Sequence, residues 1–284
     1  METIWNQLTP VDWQARLGQS GACRLRQSWE FGAAMAALGA QVAHAQVFDD
    51  GREVAIVQLL QRRHLRLISQ GPVYLGQTDR RRVLRRLARH GGVTVATPET
   101  GLSGWGLIPL ITPRFHAIWA LDQPVEDLRT GLSGKWRNRL LRAEDRVQPE
   151  VLTAPRDLMQ LIMAEAAQRK TRGYRNLPGG MAQVWPGERL VIGWKRRGVM
   201  QSGMVFLCHG DCATYHLGWT SDIGRAGFAH GPILWQAALA LRARGVVRLD
   251  LGEVNTERGA ALARFKLGTG AAPVPRGATC LVLP

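Results

Sequence analysis

The chain has 284 residues, 45% of them hydrophobic and 21% charged, and a formal net charge of +15. This is globular composition, long enough for one large domain or two of ordinary size. No run approaches the roughly 18 consecutive apolar residues of a membrane span, and METIWNQLTPVDW lacks the basic-then-apolar pattern of a signal peptide, so a cytoplasmic protein is expected. The positive excess favours polyanionic partners. Arginine carries nearly all of it, 33 Arg against 4 Lys, and because such a count partly reflects genome bias, placement says more than number.

In chain order, SWEFGAAMAALG reads as a helix. AQVAHAQVF and REVAIVQLLQ, joined by DDG, read as a hairpin. RRHLRLISQ adds a strand, and GPVYLG marks a break. The stretch TDRRRVLRRLARHGG predicts a helix over 79–90. Arg82, Arg85, Arg86 and Arg89 fall on one face, with Val83, Leu84, Leu87 and Ala88 on the other. Strands are expected at 93–97, near 107–111 and at 115–121, then a short helix in PVEDLRTGL.

The second half repeats this order. In SGKWRNRLLRAEDRV, Lys135, Arg139, Arg142 and Arg146 recur at helical spacing opposite Trp136, Leu140, Ala143 and Val147. A strand, the helix APRDLMQLIMAEAAQRK and a Gly/Pro-rich loop follow, then strands ending in SGMVFLC and ATYHLGWT. The loop SDIGRAGFAHG leads to helix PILWQAALALRARG, strand VVRLDLGEV, helix TERGAALARFK and strand ATCLVLP. The repeated order implies an α+β (mixed α/β) fold of two duplicated units, divided as 1–133 and 134–284, with the last strand free to pack back on the first domain.

Four cysteines (Cys23, Cys208, Cys212 and Cys280) are too few for a disulfide scaffold. CHGDC reads as a hairpin turn rather than a zinc site, because no second ligand pair stands at zinc spacing, and no metal is expected. Basic segments at 168–175 and 194–198 join the two basic helices in suggesting an anion-binding groove. On ATYHLGWT, alternation sends Tyr215 and His216 to opposite faces. The loop that follows, with Gly224, Arg225, Gly227 and His230 ahead of Pro232, reads as a strand-to-helix turn suited to an anion. Asp250 and Glu253 stand at the C-terminal end of their strand, where sites in mixed α/β folds gather. Either is placed to take a proton, and pairing with nearby arginines is an equal alternative.

The ordered set ATYHLGWTSD, ILWQAALALRARGVVRLDLGEVN and LARFKLGTGA resembles the C-terminal half of FemAB-like aminoacyl/acyltransferases of the GNAT superfamily, in the branch of the BioF2-like acetyltransferase domain. LRQSWEFG (25–32), GPVYLG (71–76) and KWRNRLLRAE (135–144) extend the likeness from about residue 25 onward. The resemblance implies two tandem GNAT-like domains, each a mixed, largely antiparallel sheet flanked by helices. It also implies transfer of an aminoacyl or acyl group from aminoacyl-tRNA or acyl-CoA to an amine of a cell-envelope or peptidoglycan-related acceptor.

By the same resemblance Lys266 matches the lysine of the Phe-Lys…Gly signature, placed to stabilise the oxyanion. A compact ammonium suits such a site better than a broad guanidinium fork. Tyr215 is expected to position or protonate the leaving group, and Asp250 or Glu253 to act as base. Gly224, Arg225, Gly227 and His230 are expected to bind the donor, and Trp29, Lys135, Arg139 and Arg142 the acceptor or its phosphate. Two departures stand out: QSWEFGAAMAALG lacks the lysine of the peptidoglycan-modifying members, and IGRAGFAHG lacks a compact acetyl-CoA loop. No tightly bound cofactor is expected, and peripheral contact with an anionic membrane, at the inner membrane surface, is compatible with the charge. Two alternatives stay open: an acyl-CoA-dependent N-acetyltransferase acting on a small or lipid-linked amine, and a non-catalytic RNA-binding protein on the same fold.

Overall fold

The computed structural model describes residues 1–21, 24–257 and 259–284, so Cys23 lies outside the described residues. The chain divides into two compact units, Met1–Phe115 with Val274–Pro284, and His116–Pro273. Each is built on its own, mostly antiparallel sheet flanked by helices.

The first unit contains β1 (Glu2–Trp5), α1 (Pro10–Gln19), α2 (Trp29–Ala37), β2 (Gln41–Asp49), β3 (Arg52–Arg62), β4 (Leu65–Ser69), β5 (Val73–Tyr74), α3 (Arg80–Ala88), β6 (Val93–Thr97) and β7 (Leu107–Ile111). The second contains β8 (Phe115–Ala120), α4 (Val125–Thr130), α5 (Gly134–Glu144), β9 (Glu150–Val151), α6 (Pro155–Arg172), β10 (Arg189–Arg196), β11 (Val199–His209), β12 (Cys212–Thr220), α7 (Asp222–Ala226), α8 (His230–Ala243), β13 (Arg248–Val254), α9 (Ala260–Leu267) and β14 (Ala272–Pro275). Finally β15 (Thr279–Val282) closes the chain.

The first sheet has the order β1-β2-β3-β4-β6-β15-β7, with β5 paired to β3. The β2–β3 hairpin turns through Asp50 and Gly51, both at positive φ (50° and 76°), which matches the right-handed twist of the flanking strands. Helix α3 is capped by Asp79, whose carboxylate accepts from the N–H groups of Arg81 and Arg82. Its Val83, Leu84, Leu87 and Ala88 are buried with Leu107, Cys280 and Val282, so the apolar face read from the sequence is the core face. Trp13 and Leu17 of α1 bury with Ile56 and Val73 in a separate cluster.

The second sheet runs β14-β8-β13-β12-β11-β10-β9. The break between units falls at 115/116 rather than at 133/134. The reason is that β8 hydrogen-bonds beside β13 in the second sheet, while β15 pairs with β6 and β7 in the first. Cys208 and Cys212 flank the β11–β12 hairpin, with His209 opposite Cys212 in register. Among the described residues no helix is long and apolar enough to cross a membrane.

Helix α5 buries Trp136, Leu140 and Ala143, with Val147 just beyond its end, and leaves Lys135, Arg139 and Arg142 exposed. Trp136 ties this helix to α9. Its indole N–H donates to the Phe265 carbonyl at 3.1 Å, and its ring packs 5.9 Å from that of Phe265. Truncation removes a buried aromatic and orphans an acceptor. Trp136→Ala is therefore expected to lower the unfolding free energy by about 3–5 kcal/mol in urea titrations, whereas Arg142→Ala on the exposed face of the same helix should stay within about 0.5 kcal/mol.

Candidate active site

Parallel strands β12 and β13 pair only over Cys212–Thr214 against Arg248–Asp250. Beyond that point both continue, β12 to Thr220 and β13 to Val254, without pairing to each other. The sheet therefore forks at the carboxyl ends of two parallel strands, the place where mixed α/β folds receive ligands. On the other side, β12 keeps its ladder with β11 but carries one extra residue. Val205 pairs with Leu217 and Phe206 with Tyr215, which leaves His216 in a bulge.

Asp250 closes the paired stretch and is 2% exposed. Its carboxylate accepts from the Gly252 N–H at 2.7 Å and lies 3.0–3.1 Å from Nδ1 of His116 on β8. An ionised carboxylate only accepts, so Nδ1 carries a proton and Nε2 is the nitrogen that can exchange one. Gly252 has φ +82°, a conformation side chains avoid, and a Cβ there would sit 3.5 Å from the Lys266 Nζ. The turn it permits places the Glu253 carbonyl where Lys266 donates to it at 2.9 Å.

Lys266 lies in the last turn of α9 and is 7% exposed. Burial pushes its ammonium down to about 8, and the charges of Asp250 and Glu253 pull partly back. The residues after it explain its position. A Cβ on Gly268 would sit 2.8 Å from the Arg264 carbonyl and 2.9 Å from Cδ1 of Trp136. The fully buried Thr269 donates its hydroxyl to the Lys266 carbonyl at 2.7 Å, and Gly270 takes φ +88°. The stretch KLGTG is thus a tight helix exit that seats the ammonium.

Tyr215 is half-buried on β12, with its ring 5.8 Å from Phe206. Its hydroxyl lies over Gly218, where a Cβ would come within 2.2 Å. Burial holds the phenol well above its ordinary range, with Tyr174 and Glu165 adding to the shift. It is therefore neutral and able to donate. His216, 2% exposed, is driven down to about 4 by burial and is neutral. Its ring nitrogens face the backbone of Pro178 and Gly179 without a hydrogen bond of ordinary geometry among the described residues. Its carbonyl accepts from Asn176 at 3.0 Å.

The structure thus brings Lys266, Asp250 and the Glu253 main chain together. The remaining candidates lie apart from that group's hydrogen bonds. The stretch SDIGRAGFAHG is not an open loop: Ser221 caps α7, and α8 begins at His230, two residues before Pro232. The N–H groups of Ala229 and Gly231 are taken by the carbonyls of Gly224 and Phe228, so the free N–H cluster expected from the sequence is largely filled from within. Gly224 is enforced by packing, since a Cβ would lie 2.3 Å from Thr220 Oγ1. Gly227 caps α7, and Arg225 reaches Asp222 at 3.4 Å. His230, lowered by burial, sits 3.3 Å from the Trp219 carbonyl and 6.1 Å from the Phe265 ring. Arg139 lies over Phe228, while Lys135 and Arg142 face solvent. Trp29 belongs to the first unit, where it stacks on His44 at 4.4 Å.

His116 is the residue sequence reasoning missed. A single histidine in an alternating strand, RFHAIWA, carries no local signal, and only the β8–β13 pairing sets it against Asp250.

Lys266 titrates near 8 when folded and near 10.5 when unfolded. Between those values the unfolded chain binds more protons, so the burden of the buried charge is relieved as pH rises. Relative to Lys266→Met, the wild-type chain is expected to gain about 3 kcal/mol between pH 8 and 10.5, read as the difference of urea midpoints. A flat difference would place the ammonium in solvent.

No protein-family profile matches the chain, and no curated protein does. Solved structures do. The crystal structure of FemX superposes with a TM-score of 0.76 at 14% identity, covering 100% of this chain and 98% of that one. The C-terminal domain of a lysylphosphatidylglycerol synthetase from Agrobacterium fabrum gives 0.57 at 15%, with coverage of 97% and 93%. A tandem GNAT protein from the clavulanic acid biosynthesis pathway gives 0.56 at 15%, with coverage of 99% and 97%. Two mostly antiparallel sheets in tandem, one of them forked beside a buried lysine, give this chain the fold that FemX and the tandem GNAT protein share with it.

Proposed function

We propose that this chain is an N-acyltransferase that moves an aminoacyl or acyl group from an activated ester or thioester to an amine of a cell-envelope or peptidoglycan-related acceptor. The observation that carries the reading is the buried Lys266 ammonium at the end of β13, beside the His116–Asp250 pair. Aminoacyl-tRNA and acyl-CoA both present the required carbonyl.

The chemistry rests on the groups present. The acceptor nitrogen attacks the donor carbonyl carbon and loses a proton to Nε2 of His116. Asp250 holds the Nδ1 proton and thereby fixes the basic nitrogen. Either Asp250 or Glu253 was expected as base from the sequence. The burial and existing hydrogen bonds of Asp250 fit it better for orienting the histidine. The new oxyanion lies against the Lys266 ammonium, which is already stripped of water and needs little reorganisation. Collapse expels the tRNA 3′-oxygen or the thiolate of CoA, and the neutral Tyr215 hydroxyl supplies a proton. On the donor side, Arg225 is the group with side-chain exposure to meet a phosphate. The exposed Lys135, Arg139 and Arg142 serve the acceptor.

No resident metal or cofactor enters this scheme. A cytoplasmic location, extending to the inner membrane surface, suits such an acceptor.

The test is transfer by the purified full chain from charged tRNA and from acyl-CoA to amine acceptors, followed by mass spectrometry. Lys266→Met should lower kcat by about 10²–10³ with KM little changed. The wild-type rate should fall as pH rises through about 8, where the ammonium deprotonates. His116→Gln should lower kcat with KM little changed while leaving the fold intact. Full turnover by Lys266→Met would remove the oxyanion role.

A further inference from the structure

The arginine face of α3 has no part in the chemistry above, and it is built as a site. Arg82, Arg85, Arg86 and Arg89, at i, i+3, i+4 and i+7, line a hollow of about 90 Å³ together with Met1. That is the space of roughly three liquid waters, close to the size of one tetrahedral oxyanion. The Nε atoms of Arg85 and Arg86 are buried and bond to nothing among the described residues. Neither Arg82, Arg86 nor Arg89 has a carboxylate within ion-pair distance among the described residues. The acid nearest in sequence, Asp79, gives its Oδ1 to the N–H groups of Arg81 and Arg82 at 3.0 and 3.2 Å. Arg85 donates from one Nη to the main-chain oxygen of Pro284 at 3.0 Å.

Four guanidinium groups facing one small space repel one another unless an anion lies between them. Some arginines of this chain meet carboxylates, as Arg129 meets Glu144 through two hydrogen bonds. The planar fork of arginine matches phosphate oxygens two at a time, which a row of lysines would not.

We infer that this hollow on the first unit binds a phosphate group, presented by a soluble phosphate ester or by an anionic phospholipid headgroup. The inference is independent of the transfer reaction, because no residue of the hollow is placed in that site.

The experiment titrates the full chain with pyrophosphate by calorimetry and sediments it with vesicles of phosphatidylglycerol or of phosphatidylcholine alone. Saturable pyrophosphate binding is expected, weakened at least about tenfold by Arg86→Gln, partly restored by Arg86→Lys, and weakened as much by the pair Arg82→Gln and Arg89→Gln. Arg82 and Arg89 are exposed, so that double variant keeps its melting temperature and guards against loss of fold. Sedimentation with phosphatidylglycerol vesicles that the same variants abolish assigns the phosphate to lipid. Pyrophosphate binding without vesicle binding assigns it to a soluble ester. Absence of saturable binding in both arms, or binding that Arg86→Gln leaves unchanged, overturns the inference.

Discussion

The second unit is organised around one electrostatic constraint, an ammonium removed from water. Keeping Lys266 charged inside the protein is costly unless its N–H groups find oxygen and a counter-charge lies close. The Glu253 carbonyl supplies the first and Asp250 contributes the second. Each demands something of its neighbours. Gly252 must adopt a positive φ to aim that carbonyl, and Gly268 must stay bare so that α9 can close on Trp136. Thr269 must hold the helix end. The glycines and threonine around the lysine are therefore the mechanical support of a single charge.

The same charge is what the proposed transfer reaction would use at the fork in the sheet. Where β12 and β13 separate, main-chain groups and the side chains of Tyr215, Asp250 and His116 are left at the edge of a core that is otherwise apolar. In such surroundings electrostatic interactions are weakly screened, so a fixed cation acts strongly on a developing anion. The bulge at His216 shifts the register on the outer side of β12 and places Tyr215 opposite Phe206.

Positive charge is used in two ways in this chain. One lysine is buried as a point charge, whereas arginines on α3 and α5 lie at the surface opposite the apolar faces that form the core. Where carboxylates are available, arginine pairs with them, as in Arg24 and Arg276 with Glu99. On α3 they are not. The net charge of +15 is thus unevenly satisfied, and the exposed basic residues of α3 and α5 carry part of the excess.

Much of this was legible in the residues alone. The periodicity of Val83, Leu84, Leu87 and Ala88, and of Trp136, Leu140, Ala143 and Val147, fixed the buried faces of α3 and α5, because a helix face is a local property. The Asp-Asp-Gly turn fixed the first hairpin for the same reason. The motif around Lys266 marked the residue that the structure buries. Helix α1 escaped the reading although its Thr9 cap, Pro10 and Asp12 were local signals, and the short α7 was hidden by glycines read as loop. What no window of sequence contains is the partner across space. The boundary at 115/116 depends on which sheet β8 joins, and the His116–Asp250 pair depends on β8 lying beside β13, 134 residues apart in sequence. Sequence by itself determined the elements and their faces, because these follow from local stereochemistry and hydrophobic spacing, while Lys266 was singled out by the resemblance to FemAB-like transferases. Only the tertiary structure decided strand pairing, the fork and the desolvation of the ammonium, because those are set by contacts between segments far apart along the chain.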